Sequence, residues 1–222
     1  MLFQSTLLTF VLAAVGALAA PIEKRAGCSK YIIIDTRGTG EPQGPSAGFR
    51  SMNSRIFSAV RGGTEYDTVY PADASQVSTI GTADIVNKVQ TSLAADPSTC
   101  FILEGYSQGA AATCNAMPML TGAAFNAVKG VVLIGNPEHQ PGLASNVDGN
   151  GGKTTANVRG LQAFEAGIPS NWVSKTLDIC IYGDGVCDTT HGFGINAQHL
   201  SYPYNSNVQT MGANFAIKKL QS

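Results

Sequence analysis

Apolar residues in this chain gather into short runs separated by longer amphipathic stretches. Tyr31-Ile-Ile-Ile34, Phe101-Ile-Leu103 and Val128–Ile134 are the right length and character for buried strands. Tyr66–Tyr70, stopped by Pro71, and Leu177–Tyr182 predict two more. Between them, Phe49–Val60 carries apolar residues at 49, 52, 56, 57 and 60, and Ser78–Leu93 carries them at 80, 83, 86, 89 and 93. Both spacings are helical, and Gly62-Gly63 closes the first. Ala110-Ala-Ala112, with Met117, Met119 and Leu120 beyond, starts a third helix, and Val208–Leu220 forms a last one. Strand and helix patterns alternate throughout. That predicts an α/β fold, a central parallel sheet of about five strands with helices on both faces. Residues 138–160 are polar and Gly-rich and read as a surface excursion.

Sheets of this kind carry their sites at the carboxyl ends of the strands. Asp35–Gly40, Ser107 and Gly183-Asp184 each follow a predicted strand, so three separate regions converge on one edge. Phe101–Leu103 runs into Gly105-Tyr-Ser-Gln-Gly109, a G-x-S-x-G match in strand–turn–helix context, as a nucleophile elbow requires. A side chain at either glycine would collide with the neighbouring strand or helix. The following helix turns its N-terminal N–H groups toward the site and favours negative charge there. A second match, Gly44-Pro-Ser46-Ala-Gly48, follows no apolar run and reads as a turn leading into a helix.

The first residues stand apart from the fold. Leu7–Ala20 is apolar, too short for a comfortable membrane span, and ends in Ala17-Leu18-Ala19, a small-x-small cleavage pattern. We expect a signal peptide over 1–19, a propeptide over 20–25 ending in the dibasic Lys24-Arg25, and one domain over 26–222. The expectation is a secreted protein without membrane insertion. Removing 1–25 lowers Lys+Arg from 14 to 12 and Asp+Glu from 15 to 14, a net charge of about −2. With no basic run, nucleic acid and anionic membrane are poor partners, and a monomer is expected. Five cysteines in an exported chain imply two bridges and one thiol left over. Cys180 and Cys187 bracket a short turn and can close a local bridge. Cys28 and Cys100 each precede a strand, and they can be bridged if those strands are parallel neighbours. By loop entropy the long bridge contributes about 4 kcal/mol and the short one about 2.5 kcal/mol. Cys114 then remains as a small buried hydrophobe. No Cys/His spacing suggests a metal, and no cofactor is expected.

A serine hydroxyl needs a base, and the base needs a carboxylate to orient it, in this fold in the order Ser, Asp or Glu, His. The only acid between Ser107 and His139 is Glu138, the immediate neighbour of that histidine, so His139 drops out. Asp178 lies within a strand, whereas Asp184 leaves a strand end inside the Cys180–Cys187 loop, with Asp188 as runner-up. His199 stands fifteen residues past Asp184, room for a loop to fold back over Ser107. His191 is only seven residues on, in a polar turn; spacing favours His199 and leaves His191 open.

Gly105-Tyr-Ser-Gln-Gly109, Cys180-x-x-Gly-Asp184-Gly-Val-Cys187 and Gln198-His-Leu-Ser-Tyr202 together resemble the fungal cutinase family, especially its yeast-type cutinase-like esterases. Arg37-Gly-Thr-Gly40 is similar to that family's first oxyanion-hole loop, and the likeness runs over essentially the whole mature chain. The resemblance implies a small lidless α/β-hydrolase with Ser107 as nucleophile, His199 as base and Asp184 as orienting acid. It places the oxyanion hole at Thr39 and Gln108 and the bridges at Cys28–Cys100 and Cys180–Cys187. It implies a serine esterase acting on cutin, short-chain esters and aliphatic polyesters. Phe193, Ile195 and Leu200 flank His199 and are expected either to form an apolar substrate rim or to pack in the core. Acetylxylan esterase shares the fold family, but the Arg37-Gly-Thr39 loop is closer to the cutinase branch. A non-catalytic surface protein on this scaffold would ordinarily have lost Ser107, Asp184 or His199, and all are present.

Overall fold

The computed structural model describes Met1 and residues 27–222. The leader and propeptide expected before Ala26 lie, Met1 apart, outside the described residues. Six strands, β1 (Tyr31–Thr36), β2 (Gly63–Asp67), β3 (Cys100–Tyr106), β4 (Val128–Ile134), β5 (Asn146–Val147) and β6 (Thr176–Ile179), form one parallel sheet. Their order is β2-β1-β3-β4-β6-β5. The helices are α1 (Arg50–Ala59), α2 (Thr79–Ala95), α3 (Gln108–Ala116), α4 (Gly122–Ala127) and α5 (Ser206–Leu220).

Alternate residues along each central strand feed opposite faces, so solid apolar runs were the right signal for a doubly covered sheet. Ile32, Ile34, Phe101, Leu103, Val131 and Leu133 join the core against α2 and α3. Ile33, Ile102, Val132 and Ile134 join the core against α1 and α5. Cys28 and Cys100 are bridged at the starting ends of the neighbouring strands β1 and β3, and Cys180 is bridged to Cys187. Cys114 is free and buried on α3. Among the described residues no helix is long and apolar enough to cross a membrane.

Three expectations need correcting. The second strand starts at Gly63 and ends at Asp67, and Tyr70 leaves the sheet to pack on Arg37, whose guanidinium lies 4.9 Å from its ring. The last strand stops at Ile179, so Cys180–Tyr182 belong to the loop beyond it. The stretch 138–160 is not a plain surface excursion. It contributes the sixth strand, β5, and buries His139, Asn146, Asp148 and Thr155. Its polar groups satisfy one another: Asn146 Nδ2 donates to the Gln140 and Ala156 carbonyls, and the Asp148 carboxylate accepts from the Asn150, Gly152 and Thr154 N–H groups.

Candidate active site

β3 ends at Tyr106, and α3 begins two residues later at Gln108. Ser107 makes the whole turn, with φ 55° and ψ −120°. For a residue with a side chain such a conformation costs about 1–3 kcal/mol and persists only where the surroundings enforce it. Here the Ser107 N–H is held by the Ile134 carbonyl at 3.0 Å. A Cβ at Gly105 would sit 2.6 Å from Ala110 Cα, and one at Gly109 would strike the Thr36 and Arg37 carbonyls. Both glycines are therefore what lets α3 leave so abruptly and pack against the end of β1.

The loop after β6 and the 3-10 helix His199–Tyr204 meet above this turn. Ser107 Oγ lies 2.9 Å from His199 Nε2. His199 Nδ1 faces both Asp184 oxygens, at 2.9 Å and 3.0 Å. Asp184 is fully buried and its carboxylate is well supplied, accepting from the Val186 N–H at 2.9 Å and the Tyr202 hydroxyl at 2.7 Å. Burial, then the Asp184 charge, hold the Tyr202 phenol well above its usual pKa, which keeps it a donor. Asn196 caps the arrangement: its Oδ1 accepts the His199 N–H and its Nδ2 donates to the Gly183 carbonyl. A carboxylate on Nδ1 fixes the tautomer that leaves Nε2 free to accept a proton from serine.

On the other side lies the loop after β1. Its Arg37 is buried and donates to the Glu41 and Thr68 carbonyls and to Gln43 Oε1. Glu41 in turn accepts from the Gly38 and Ala47 N–H groups and from Ser46 Oγ. This internal bonding brings Gly38 against Ser107 and sets the Thr39 hydroxyl 3.2 Å from Gln108 Oε1. Gln108 opens α3, so its N–H is among those a helix leaves without an intrahelical acceptor.

Two clefts meet at Ser107. One, of about 310 Å³, is lined by Thr39, Ala47, Tyr106, Leu200, Pro203 and Tyr204. The other, of about 220 Å³, is lined by Gln76, Pro137, Leu161, Gln162 and Val186. Ile195 belongs to both. The lining is mostly apolar with a few polar groups, the usual make-up of a small-molecule site.

A family model described as Cutinase matches residues 27–220. The chain belongs to the cutinase family. It is 64% identical to a solved structure described as a novel cutinase-like protein from Cryptococcus sp., with a TM-score of 0.86, covering 88% of this chain and 97% of that one. It is 30% identical to a cutinase of Monilinia fructicola over 88% of each chain. The catalytic core domain of acetyl xylan esterase from Trichoderma reesei is similar at 25% identity and a TM-score of 0.73, covering 87% of this chain and all of that one. Family and relatives make the chain a carboxylic ester hydrolase of α/β-hydrolase fold.

In this cutinase-family chain Ser107, His199 and Asp184 stand together, while the rival residues stand elsewhere. His139 is buried with Nδ1 2.8 Å from Asp178 and Nε2 3.0 Å from the Thr155 carbonyl. His191 pairs with Asp188 at 2.9 Å, and Asp188 also accepts the Gly183 N–H, so that pair braces the turn carrying Asp184. Ser46, of the second G-x-S-x-G, is buried against Glu41. Ile195 and Leu200 are exposed and line the clefts; Phe193 is 88% exposed and lines neither. Tyr202, Asn196, Glu41 and the bonding pattern of Arg37 were not singled out by sequence reasoning. Tyr202 and Arg37 lay inside the motifs that carry the family resemblance, which was the one available signal. Asn196 and Glu41 gave none.

Proposed function

We propose that the chain hydrolyses short-chain esters, cutin and aliphatic polyesters through an acyl-enzyme on Ser107. The observation that carries this reading is the unbroken hydrogen-bonded path from Ser107 Oγ through His199 to Asp184. Ser107 Oγ attacks the ester carbonyl while His199 Nε2 takes its proton. Thr39, through its hydroxyl and N–H, and the Gln108 N–H hold the oxyanion, each donor worth about 3 kcal/mol in the transition state. His199 then protonates the leaving alcohol. Water repeats the sequence to release the acid.

The Asp35–Gly48 and Thr189–Ala197 connections beside the serine are Gly-rich and carry no amphipathic flap, which supports a lidless enzyme. Two disulfides and the apolar leader pattern support export. The test is a panel of p-nitrophenyl esters of graded chain length beside acetylated xylan and an aliphatic polyester film. Short esters and the film should be cleaved, with no jump in rate as droplets form. Ser107→Ala and His199→Ala should be inactive, and His191→Ala should keep most of its rate. Activity confined to acetylated xylan would move the chain to the acetylxylan esterases, and an active Ser107→Ala would end the assignment.

A further inference from the structure

Behind the loop that carries Thr39, four carboxylates share one end of the sheet. Asp35 on β1 is in register with Asp67 on β2 and with Glu104 on β3, and Glu65 precedes Asp67 by two residues on the same face. Oxygen atoms of Asp35, Glu65 and Asp67 all lie within 4.8 Å of one another. Among the described residues no lysine or arginine forms an ion pair with any of the four. Arg37, the nearest buried cation in sequence, is committed to carbonyls and to Gln43.

A cluster of acids alone would say little. Here the acceptors around it also lack donors. Glu104 is fully buried, and neither of its oxygens has a partner. Asn53, on α1 and 2% exposed, donates through Nδ2 to Glu65 while its own Oδ1 is unpartnered. Asp35 Oδ1 and Asp67 Oδ1 are buried and unpartnered as well. Burial, then the neighbouring carboxylates, push Asp35 and Glu104 well above the usual carboxylate range, and the same causes raise Glu65. Five unpaired oxygens thus belong to four residues of this end of the sheet and its covering helix, and all of them are acceptors. Orphaned buried acceptors are rare in folded proteins, and each calls for a missing donor or ion.

The geometry points to a site for one divalent cation of the calcium type, bound by the carboxylates of Asp35, Glu65 and Asp67, with Glu104 beside Asp35 on the next strand and Asn53 against Glu65. Oxygens on opposite sides of bound calcium lie about 4.6–5.2 Å apart, so the observed grouping suits ligands of one ion. The grouped carboxylates come from two neighbouring strands, an irregular set that calcium accepts and magnesium, which demands a near-ideal octahedron, does not. Glu65 is exposed and Asp67 half-buried on the edge strand β2, which gives the ion an entry. Protons alone serve the cluster less well, because each supplies one donor where one ion is shared by the three grouped carboxylates. The site also bears on the loop above it. Asp35 Oδ2 accepts the Ser46 N–H at 2.8 Å, so an ion on Asp35 would tie β1 and β2 to the segment that holds Thr39 in place.

The test starts from the purified full chain stripped with EDTA and then freed of chelator. Thermal unfolding is followed across a calcium chloride titration, and terbium luminescence is read in parallel. The expected result is a saturable rise in Tm, about 5–10 °C at a hundredfold excess over the dissociation constant. One terbium should bind per chain and be displaced by calcium. Asp67→Asn and Glu65→Gln, both on the edge strand, should each fold and lose most of that rise. A Tm unmoved by calcium in the stripped wild type would overturn the site, whatever the variants do. So would a rise that persists in both variants. A Tm that ignores calcium, with a rise on acidification that is smaller in Glu104→Gln than in wild type, would overturn the site and assign the cluster to shared protons instead.

Discussion

Replacing Asp184 with asparagine changes one atom of the site and, by the geometry, reverses the direction of its hydrogen bonds. Asp184 Oδ1 accepts the Val186 N–H at 2.9 Å, and the amide oxygen of asparagine can keep that bond. The amide NH₂ then takes the place of Oδ2, facing the Tyr202 hydroxyl and His199 Nδ1. Tyr202 can adjust, because the Ile179 carbonyl lies 3.4 Å from its oxygen and can accept the released proton. His199 cannot. An NH₂ donating to Nδ1 puts the imidazole proton on Nε2, where it points at Ser107 Oγ and blocks general-base catalysis. The same inversion in a serine protease lowers kcat about ten-thousand-fold, about 5.5 kcal/mol of activation free energy. Stability should suffer far less. A weakened charge-assisted bond costs about 1–3 kcal/mol, a fall in Tm of roughly 2–12 °C for a chain of this size. The assay is kcat for p-nitrophenyl butyrate beside a thermal unfolding curve. A folded Asp184→Asn enzyme within about tenfold of wild type would refute the tautomer reasoning.

Gly109→Ala should be worse for both fold and rate than its size suggests, because the new methyl meets two main-chain carbonyls that have no rotamer to change. An overpacking cost at or above the usual 1–3 kcal/mol and roughly a hundredfold lower kcat are expected, read by Tm and turnover; a neutral variant would contradict the close approach of α3 to β1. Ile195→Ala merges the walls of both clefts, so the optimum of a p-nitrophenyl ester series should move to longer acyl chains by at least two carbons, and an unchanged profile would remove Ile195 from the site. Stability should rise as pH falls from 8 to 5. Burial pushes Glu138 up to about 7, and its contribution is lost between its unfolded value of 4.5 and that point. Burial pushes His139 down, but Asp178 and the Thr155 carbonyl push it up by more, so its contribution is lost as pH rises past 6.5 through the raised value. A Tm series should show this slope in the stripped protein, with the upper part missing in His139→Gln; a Tm that climbed with pH would reverse the sign.

The elbow was readable because its constraint is local: two glycines two residues either side of a serine, between an apolar run and an alanine-rich helix. Converging strand ends brought His199 and Asp184 into consideration, but spacing left His191 and Asp188 open, and the family resemblance was what singled out the pair. What escaped reading was polarity that pairs with itself. His139, Asn146 and Thr155 look like surface residues in a Gly-rich stretch, yet all three are buried, and His139 and Asn146 find carbonyl partners at Thr155 and Ala156 within that same stretch. Composition registers that a residue is polar and says nothing about whether a carbonyl awaits it. The two-residue strand β5 is likewise too short to show a period of two. Tyr202 escaped for a different reason: its hydroxyl serves Asp184, eighteen positions away, and no spacing rule links a tyrosine to the acid it supports.

With Ser107 as the proposed nucleophile, the meeting of two clefts there, with Ile195 shared between them, predicts where a long substrate would be cut. An ester lying across the serine extends in both directions, its acyl part along one cleft and its alcohol part along the other. Such a layout favours interior linkages over chain ends. Scission of a polyester should therefore be endo-type: mean molecular mass collapses early, while most of the film's weight is still in place and monomer has barely begun to appear in solution.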